Sequence, residues 1–382
     1  MECYDRSEES ARLWRHFQQG KNVLMLAPRR IGKTVLLNRL REESEGQGFH
    51  SIVLDVEGYR DEKAFFQQMC SAIQEEIGAG QAVVAAFTER LRRIVHGAES
   101  HGDWRNILLH TDWPHFADHL LTQLEAGKDG RPWLILVDEI PIFTLALLEE
   151  EAGANKARDF LYTLRNLRQK HRRVLWLFTD SIGLDTVARR HGFEGALVDM
   201  EIFPLLPFSV ETATGFLDHI AARSRCRFSP PAAVRIIERL GWLAPYYLEK
   251  IAEAACDQAG ANPCIEVAAA ERAADSLLEL CRRTYWSTWR EHLEKNFAEP
   301  QRTHLFTVLA EVAQGGAAGV TLASLLLALN RGGDSVGEAT LRDLLDTLEA
   351  DGYLSTDQDR SRFRFRMHLL GEWWLRYVVV RG

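Results

Sequence analysis

Gly32, Lys33 and Thr34 close an eight-residue run, Ala27-Pro28-Arg29-Arg30-Ile31-Gly32-Lys33-Thr34, whose order suits the binding of phosphate. In the pattern G-x-x-x-x-G-K-[ST], successive backbone N–H groups curl around a β-phosphate, and the helix that follows presents its positive end to it. Lys33 would reach the β- and γ-phosphates as a point charge, and the Thr34 hydroxyl would be a ligand for Mg2+. Gly32 suits a backbone that passes too close to phosphate for a Cβ. Ala27 stands in the place of the first glycine, where alanine is the least costly substitute. The competing reading is a chance Gly-Lys-Thr in a turn from strand to helix. Context weakens it, because apolar Val23-Leu24-Met25-Leu26 precedes the run and a helical pattern through Val35, Leu36, Leu37 and Leu40 follows.

Two carboxylates supply the second half of such a site. The apolar run 133–137 ends in Asp138-Glu139. An aspartate at the carboxyl end of a parallel strand can hold Mg2+, usually through a water, and Glu139 would polarise the attacking water as general base. An Asp-Glu pair at a strand end is common on surfaces, so its weight comes from the loop at 27–34. A further apolar run, 174–178, leads into Thr179-Asp180-Ser181 at the same sheet edge. Thr179, with Ser181 as second candidate, would orient the water between Glu139 and the γ-phosphate. A plain strand-end turn is the bland alternative.

To bring these residues to one edge, the chain must form strands at 23–26, 51–56, 133–137, 174–178 and 197–202. Continuous apolar strands separated by helices read as a parallel sheet covered on both faces, an α/β core. After Pro204-Leu205-Leu206-Pro207 the strands stop, and helical patterns occupy 210–223, 231–240, 245–258 and a long segment 267–296. Helices at 303–313, 321–329 and 339–350 are then followed by two short segments, 353–356 and 362–366, either side of a polar turn. Three helices and a hairpin outline a winged helix. The expected division is a core over 1–205, a helical region over 206–298 and a winged helix over 299–382, since 382 residues are too many for one ordinary core.

Hydrophobic residues make up 46% and charged ones 26%, the balance of a soluble globular chain. A formal charge of −8 argues against bulk electrostatic binding of nucleic acid, so any such contact would need a local basic patch. Cys3, Cys70, Cys226, Cys256, Cys264 and Cys281 are scattered without a C-x-x-C pair, which points away from zinc and toward reduced thiols in the cytoplasm. No basic-then-apolar leader opens the sequence, and no apolar run nears the roughly 18 residues that cross a bilayer, so no membrane role is expected. Residues 57–130 hold Trp104, Trp113, His96, His101, His110 and His115 at spacings that match no metal site. That stretch reads as extra helical cover or as a partner surface.

The run Ala-Pro-Arg-Arg-Ile-Gly-Lys-Thr-Val-Leu-Leu from Ala27 resembles the loop of the archaeal-type ATPases. These lie within the signal-transduction ATPases with numerous domains (STAND), near the Orc/Cdc6-like branch of the AAA+ P-loop NTPases, and their loops often read G-x-R-R-x-G-K-T-x-L-L. Asp138-Glu139 resembles their Walker B motif. Phe178-Thr179-Asp180-Ser181-Ile182-Gly183-Leu184 resembles their sensor-1 region, with Asp180 where glycine is more usual. Phe203-Pro204-Leu205-Leu206-Pro207-Phe208-Ser209 is similar to their link into a helical lid. Gly241-Trp242-Leu243-Ala244-Pro245 is similar to their G-x-P segment, though longer. The resemblance covers most of the chain, including Trp373-Trp374-Leu375-Arg376-Tyr377 near its end, with the specific motifs in the first 250 residues.

The resemblance implies ATP and Mg2+ held between core and lid. Ala27, Pro28, Arg29, Arg30, Ile31, Gly32, Lys33, Thr34 and Val35 would surround the phosphates, Thr34 and Asp138 would hold the metal, and Pro245 would lie near the base. Hydrolysis through Glu139 would be slow and would drive a switch acting on a protein partner or effector, or on assembly into a homo-oligomer. An arginine often completes such a site, and Arg165, Arg168, Arg172, Arg189 and Arg190 are candidates. Most of these also read as a solvated helix face. Arg29 or Arg30 should lie near phosphate or a partner surface, or form a salt bridge to the lid.

In the winged helix, Glu338, Asp343, Asp346, Glu349 and Asp351 stand against a single Arg342, a balance that repels a phosphate backbone. Arg362, Arg364 and Arg366 alternate with Phe363 and Phe365, which would set three guanidinium groups on one face. They would grip a phosphate backbone or pair with the acidic helix. Protein contact is the preferred reading. The alternative is an Orc/Cdc6-like ATPase that loads or remodels protein on DNA. Trp373, Trp374 and Tyr377 read as core packing.

Overall fold

The apolar runs of the first 205 residues form one parallel sheet. The computed structural model describes residues 4–77, 112–126, 130–150, 152–180, 183–260, 264–331 and 335–380. Cys3, His96, His101, Trp104, His110 and Ser181 lie outside the described residues. Two compact units are present: Met1–Ala27 with Lys33–Leu205, and Pro28–Gly32 with Leu206–Gly382.

In the first unit β1 (Asn22–Leu26), β2 (His50–Asp55), β3 (Trp133–Asp138), β4 (Val174–Asp180) and β5 (Met200–Pro204) lie in the order β2-β3-β4-β1-β5, every neighbouring pair parallel. All of β3 is buried, as a strand covered on both faces requires. The cover comes from α1 (Ser7–Gln18), α2 (Lys33–Ser44), α3 (Glu62–Ile77), α4 (Trp113–Glu125), α5 (Ile140–Leu148), α6 (Gly153–Lys170) and α7 (Leu184–His191). Trp113 is buried at the start of α4, a helix capped by the Asp112 carboxylate, which accepts from the His115 N–H. Since β1 pairs with β4 and β5, the chain leaving β1 must pass β4 and β3 to reach β2. That reversal sets the carboxyl ends of β1, β4 and β3 side by side, with Met25 level with Thr179 and Val137 level with Phe178.

The fifth strand begins at Met200 rather than at 197. Arg168 explains the shift. Its guanidinium donates to the Ala196 carbonyl at 2.6 Å and grips both Asp199 carboxylate oxygens at 2.8 Å. The chain from 194 to 199 is thereby held as a short 3-10 helix and a turn, with Leu197 turned into the core, and extension starts only beyond it.

The second unit is mostly helical: α8 (Val210–Arg223), α9 (Pro230–Leu240), α10 (Pro245–Ala259), α11 (Val267–Ser276), α12 (Thr284–Asn296), α13 (Gln301–Gly315), α14 (Leu322–Asn330), α15 (Glu338–Ala350) and α16 (His368–Trp374). β6 (Arg227–Phe228) pairs with β7 (Cys264–Ile265), and β8 (Val320–Thr321), β9 (Leu354–Thr356) and β10 (Arg362–Phe365) form an antiparallel sheet in the order β8-β10-β9. The long helical segment expected over 267–296 is broken between α11 and α12, with Glu279 extended at ψ 154. The break frees two carbonyls for side-chain donors: the buried Trp286 indole donates to Leu277 at 2.7 Å, and the half-buried Tyr377 phenol to Leu278 at 2.7 Å. Trp373 and Trp374 are buried, as their composition suggested.

Of the three arginines of the last hairpin, Arg362 and Arg364 reach one segment, 317–319, and Arg366 another. β10 is the central strand of its sheet, flanked by the unforeseen β8. Arg362 donates to the Ala318 and Gly319 carbonyls and Arg364 to that of Ala317. Arg366 lies past the strand and donates to the Leu354 and Glu349 carbonyls. The acidic helix α15 is instead met by Arg360, at 2.7 Å from Asp346 and 3.2 Å from Glu349. Asp351 is buried 3.2 Å from His292 and takes no part in a surface charge. Among the described residues, no helix is long and apolar enough to cross a membrane.

Candidate functional site

The ends of β1, β3 and β4 meet around one carboxylate. Asp138, the last residue of β3, is buried at 5% exposure. Thr34, in the first turn of α2, donates its hydroxyl to Asp138 Oδ2 at 2.8 Å. Thr179, on β4 and fully buried, donates to Asp138 Oδ1. Both oxygens of a buried charge are thus met by short hydroxyl donors, the arrangement that offsets its desolvation. Thr179 has a second task, for its oxygen accepts the backbone N–H of Glu139 at 3.2 Å.

Glu139 is left-handed, with φ 59 and ψ 37. A non-glycine residue held there costs about 1 kcal/mol, and such strain collects at functional sites. The chain turns sharply at Glu139 into α5, whose second residue is Pro141, a residue preorganised for a helix start. The turn leaves the Glu139 side chain one-fifth exposed, 3.8 Å from Lys33 Nζ. Lys33 is itself buried and donates to the Ala27 carbonyl at 3.0 Å. Gly32 stands at φ 96 and an added Cβ would meet nothing within 4 Å, so its requirement within the chain is conformational. Val35 follows in α2.

Pro28, Arg29, Arg30, Ile31 and Gly32 fall with the second unit. There Pro28 lies against Gly352, where a Cβ would come within 2.8 Å of the proline ring. The Arg30 guanidinium lies 4.3 Å from the centre of the Tyr246 ring, a cation–π contact that sequence reasoning missed, although Tyr246 follows Pro245 directly. Burial raises the Tyr246 phenol above its usual range, against the pull of Arg30 and Lys250. Pro245 occupies the first turn of α10.

Lys33, Thr34, Asp138, Glu139 and Thr179 are therefore brought together in the first unit, while Pro245 and the Pro28–Gly32 segment, with the loop glycine, are grouped in the second. The arginine candidates fare unequally. Arg168 is bound to Asp199 and Ala196 and is 2% exposed, so it is a structural residue of the β5 turn. Arg172 is exposed and donates to the Gln169 carbonyl. Among the described residues, no hydrogen bond or ion pair joins Arg165 or Arg189 to the Asp138 cluster. Among the described residues, no group of three or more His, Cys, Asp or Glu could hold a metal by itself.

A phosphate-loop pattern between β1 and α2, with Asp138 at the end of β3 and Thr179 on the strand between, defines the P-loop class of parallel α/β fold. More narrowly, its fold is like that of a Walker-type ATPase and of an ORC2 protein. A Walker-type ATPase of Pyrococcus abyssi matches it with a TM-score of 0.64 over 98% of this chain and 96% of its own, at 14% identity. The ORC2 protein of Aeropyrum pernix, solved with ADPNP and ADP, matches with a TM-score of 0.62 over 99% and 94%, also at 14% identity. At that identity the likeness is one of fold. No protein-family model and no curated protein matches the chain.

Proposed function

We propose that the protein binds ATP with Mg2+, hydrolyses it slowly, and acts as a STAND-like nucleotide-dependent switch on a protein partner or on its own assembly. The observation that carries this reading is the set Thr34–Asp138–Thr179–Glu139, joined by hydrogen bonds and faced by Lys33. The two structural neighbours, a Walker-type ATPase and a protein solved with ADPNP and ADP, support nucleotide as the ligand.

Thr34 and Asp138 offer hard oxygen donors in contact with each other, a donor set that fits Mg2+. The ion would neutralise charge on the β- and γ-phosphates. Lys33 would exchange the Ala27 carbonyl and the Glu139 carboxylate for phosphate oxygens. Glu139, released from Lys33 and held by its backbone to Thr179, would then accept the proton of the attacking water. Pairing of the base with Lys33 before substrate arrives supports a low basal turnover. Pro28–Val35 would line the phosphates and Pro245 would lie beside the base.

The second unit would comprise a lid over 206–298 and a winged helix over 299–382, the latter supported by the order α13, β8, α14, α15, β9, β10. The donation of Arg362, Arg364 and Arg366 to backbone carbonyls of the chain itself supports a protein partner over DNA.

Titration calorimetry with ATP and Mg2+, with phosphate release measured alongside, tests the proposal. Lys33→Ala should weaken ATP binding roughly 10- to 100-fold, the worth of a charge-assisted contact. Glu139→Gln should keep binding and lose turnover by about 10²- to 10⁴-fold. A wild-type protein that does not bind ATP sinks the whole reading, and one that binds without turnover sinks its catalytic half.

A further inference from the structure

At the end of the sheet opposite the Asp138 cluster, the first unit holds a cavity of about 310 Å³. It lies where β1, β4 and β5 begin, with Asn22, Leu175 and Met200 in its wall beside the last turn of α6. The carboxylates that line it already have counter-ions. Arg168 grips Asp199, and Lys21 holds Glu201 at 3.1 Å.

Its donors, by contrast, are unmet. Asn22 Oδ1 accepts the Trp176 N–H at 2.9 Å, which fixes the amide and leaves Nδ2 with no acceptor among the described residues. Arg172 is exposed and uses only Nε, on the Gln169 carbonyl at 3.0 Å, so neither of its Nη groups has an acceptor among the described residues. Arg168 lines the same cavity at 2% exposure, and its Nη1 is buried, again with no acceptor among the described residues. The Phe178 ring, 5.3 Å from its Cζ, supplies no oxygen or nitrogen to that group. A buried donor left unmet on a cation is costly, and such groups in a folded chain call for an explanation.

We propose that this cavity is an anion site that takes a phosphate group, as free phosphate or as the phosphate of a small monoester. Arg168 cancels Asp199 and Lys21 cancels Glu201, so the charge left over in the wall is that of Arg172. Three donor groups on β1 and α6 suit the several oxygens of phosphate better than the two of a carboxylate, and the planar fork of Arg172 suits either. The volume stands at the low end of the range for small-molecule sites, about 300–1,000 Å³, which favours a compact ligand. The carbonyl end of α6 works against an anion, and Arg172 Nε offsets this in part by meeting the Gln169 carbonyl. The cavity shares no residue with the loop at 27–34, so it stands or falls apart from the nucleotide reading.

Titration calorimetry of the full chain with inorganic phosphate, glycerol 3-phosphate and acetate tests the site, in about 0.15 M salt, where exposed charges are screened. The Lys33→Ala background removes the loop lysine as a source of the signal, and the same titrations in the wild-type background stand in if that variant does not fold. Phosphate should bind, and Arg172→Ala should weaken it roughly 10- to 100-fold, the worth of a charge-assisted hydrogen bond. Arg172 is exposed, so its removal should leave the Tm unchanged. Asn22→Asp keeps an acceptor for the Trp176 N–H but sets a carboxylate where Nδ2 was, and should abolish binding. Tighter binding of glycerol 3-phosphate assigns the site to a monoester, and equal or weaker binding assigns it to free phosphate. Absence of phosphate binding overturns the proposal. So does binding that Arg172→Ala or Asn22→Asp leaves unchanged, and so does acetate bound as tightly as phosphate.

Discussion

Replacing Thr179 by valine tests whether one hydroxyl sets the geometry of the candidate site. The residue is fully buried, and valine keeps its branched shape while removing the oxygen. Two interactions go with it: donation to Asp138 Oδ1 and acceptance of the Glu139 N–H at 3.2 Å. A hydrogen bond to a charged acceptor contributes about 1.5–3 kcal/mol, and an orphaned buried N–H costs about 1 kcal/mol or more. Asp138 keeps the Thr34 hydroxyl at 2.8 Å, so its charge is not left bare and the lower end of the range applies. The net loss is then roughly 2–3 kcal/mol, or a fall of roughly 5–10 °C in Tm for a unit of this size. Scanning calorimetry should show the fall in the transition of the first unit alone, provided the two units melt separately. ATP turnover should drop more than about tenfold while ATP affinity changes little, since the misplaced group is the general base. Thr179→Ser should restore both readouts. A valine variant with the wild-type Tm and turnover refutes the reasoning, because it would leave Thr179 without effect on either carboxylate.

Two further outcomes are expected from the first unit. Arg168→Leu removes the guanidinium that holds Asp199 and the Ala196 carbonyl, and should cost about 3–5 kcal/mol in a denaturation series, the range for breaking a buried pair. Its ATP turnover well below Tm should be unchanged, and a collapse of turnover at intact stability would return Arg168 to the role of an arginine finger. At low pH, burial works against Asp118 and Glu43, but donors overcome it: Lys170 and His171 at Asp118, and Ser10, Arg39 and Trp14 at Glu43. Both carboxyls therefore titrate below their ordinary values of about 4. A lowered folded value means that the stabilisation is complete above that range and is lost as the pH falls through the lower folded values. The Tm of the first unit should thus drop steeply below about pH 4, and Asp118→Asn should flatten part of the drop. A wild-type Tm that does not fall there would contradict the assignment.

What the sequence revealed about the site, and what it did not, divides along one physical line. Lys33, Thr34, Asp138 and Thr179 were legible because each sits at the end of an apolar strand or the start of the helix after it. In a parallel sheet, strand ends converge without further information. The left-handed turn at Glu139 was not legible, since only the proline two residues later hints at it. Arg30 on Tyr246 was equally hidden, because the two positions are joined by a contact between distant parts of the chain.

The errors in the elements have the same origin. Hydrophobic spacing reports which side chains are buried, but it does not report which backbone carbonyls are claimed by remote donors. Arg168 claims Ala196 and delays β5. Trp286 and Tyr377 claim Leu277 and Leu278 and break a segment whose pattern is helical throughout. Arg362, Arg364 and Arg366 are claimed by carbonyls too, which ties an apparent cationic face to the chain's own backbone. A buried carbonyl freed from helix or sheet must find a donor. Long side chains ending in a strong N–H or O–H donor are the ones that reach across a fold to supply it. Arginine, tryptophan and tyrosine in this chain are therefore read first as candidates to redraw an element boundary, and only afterwards as candidates to touch a ligand.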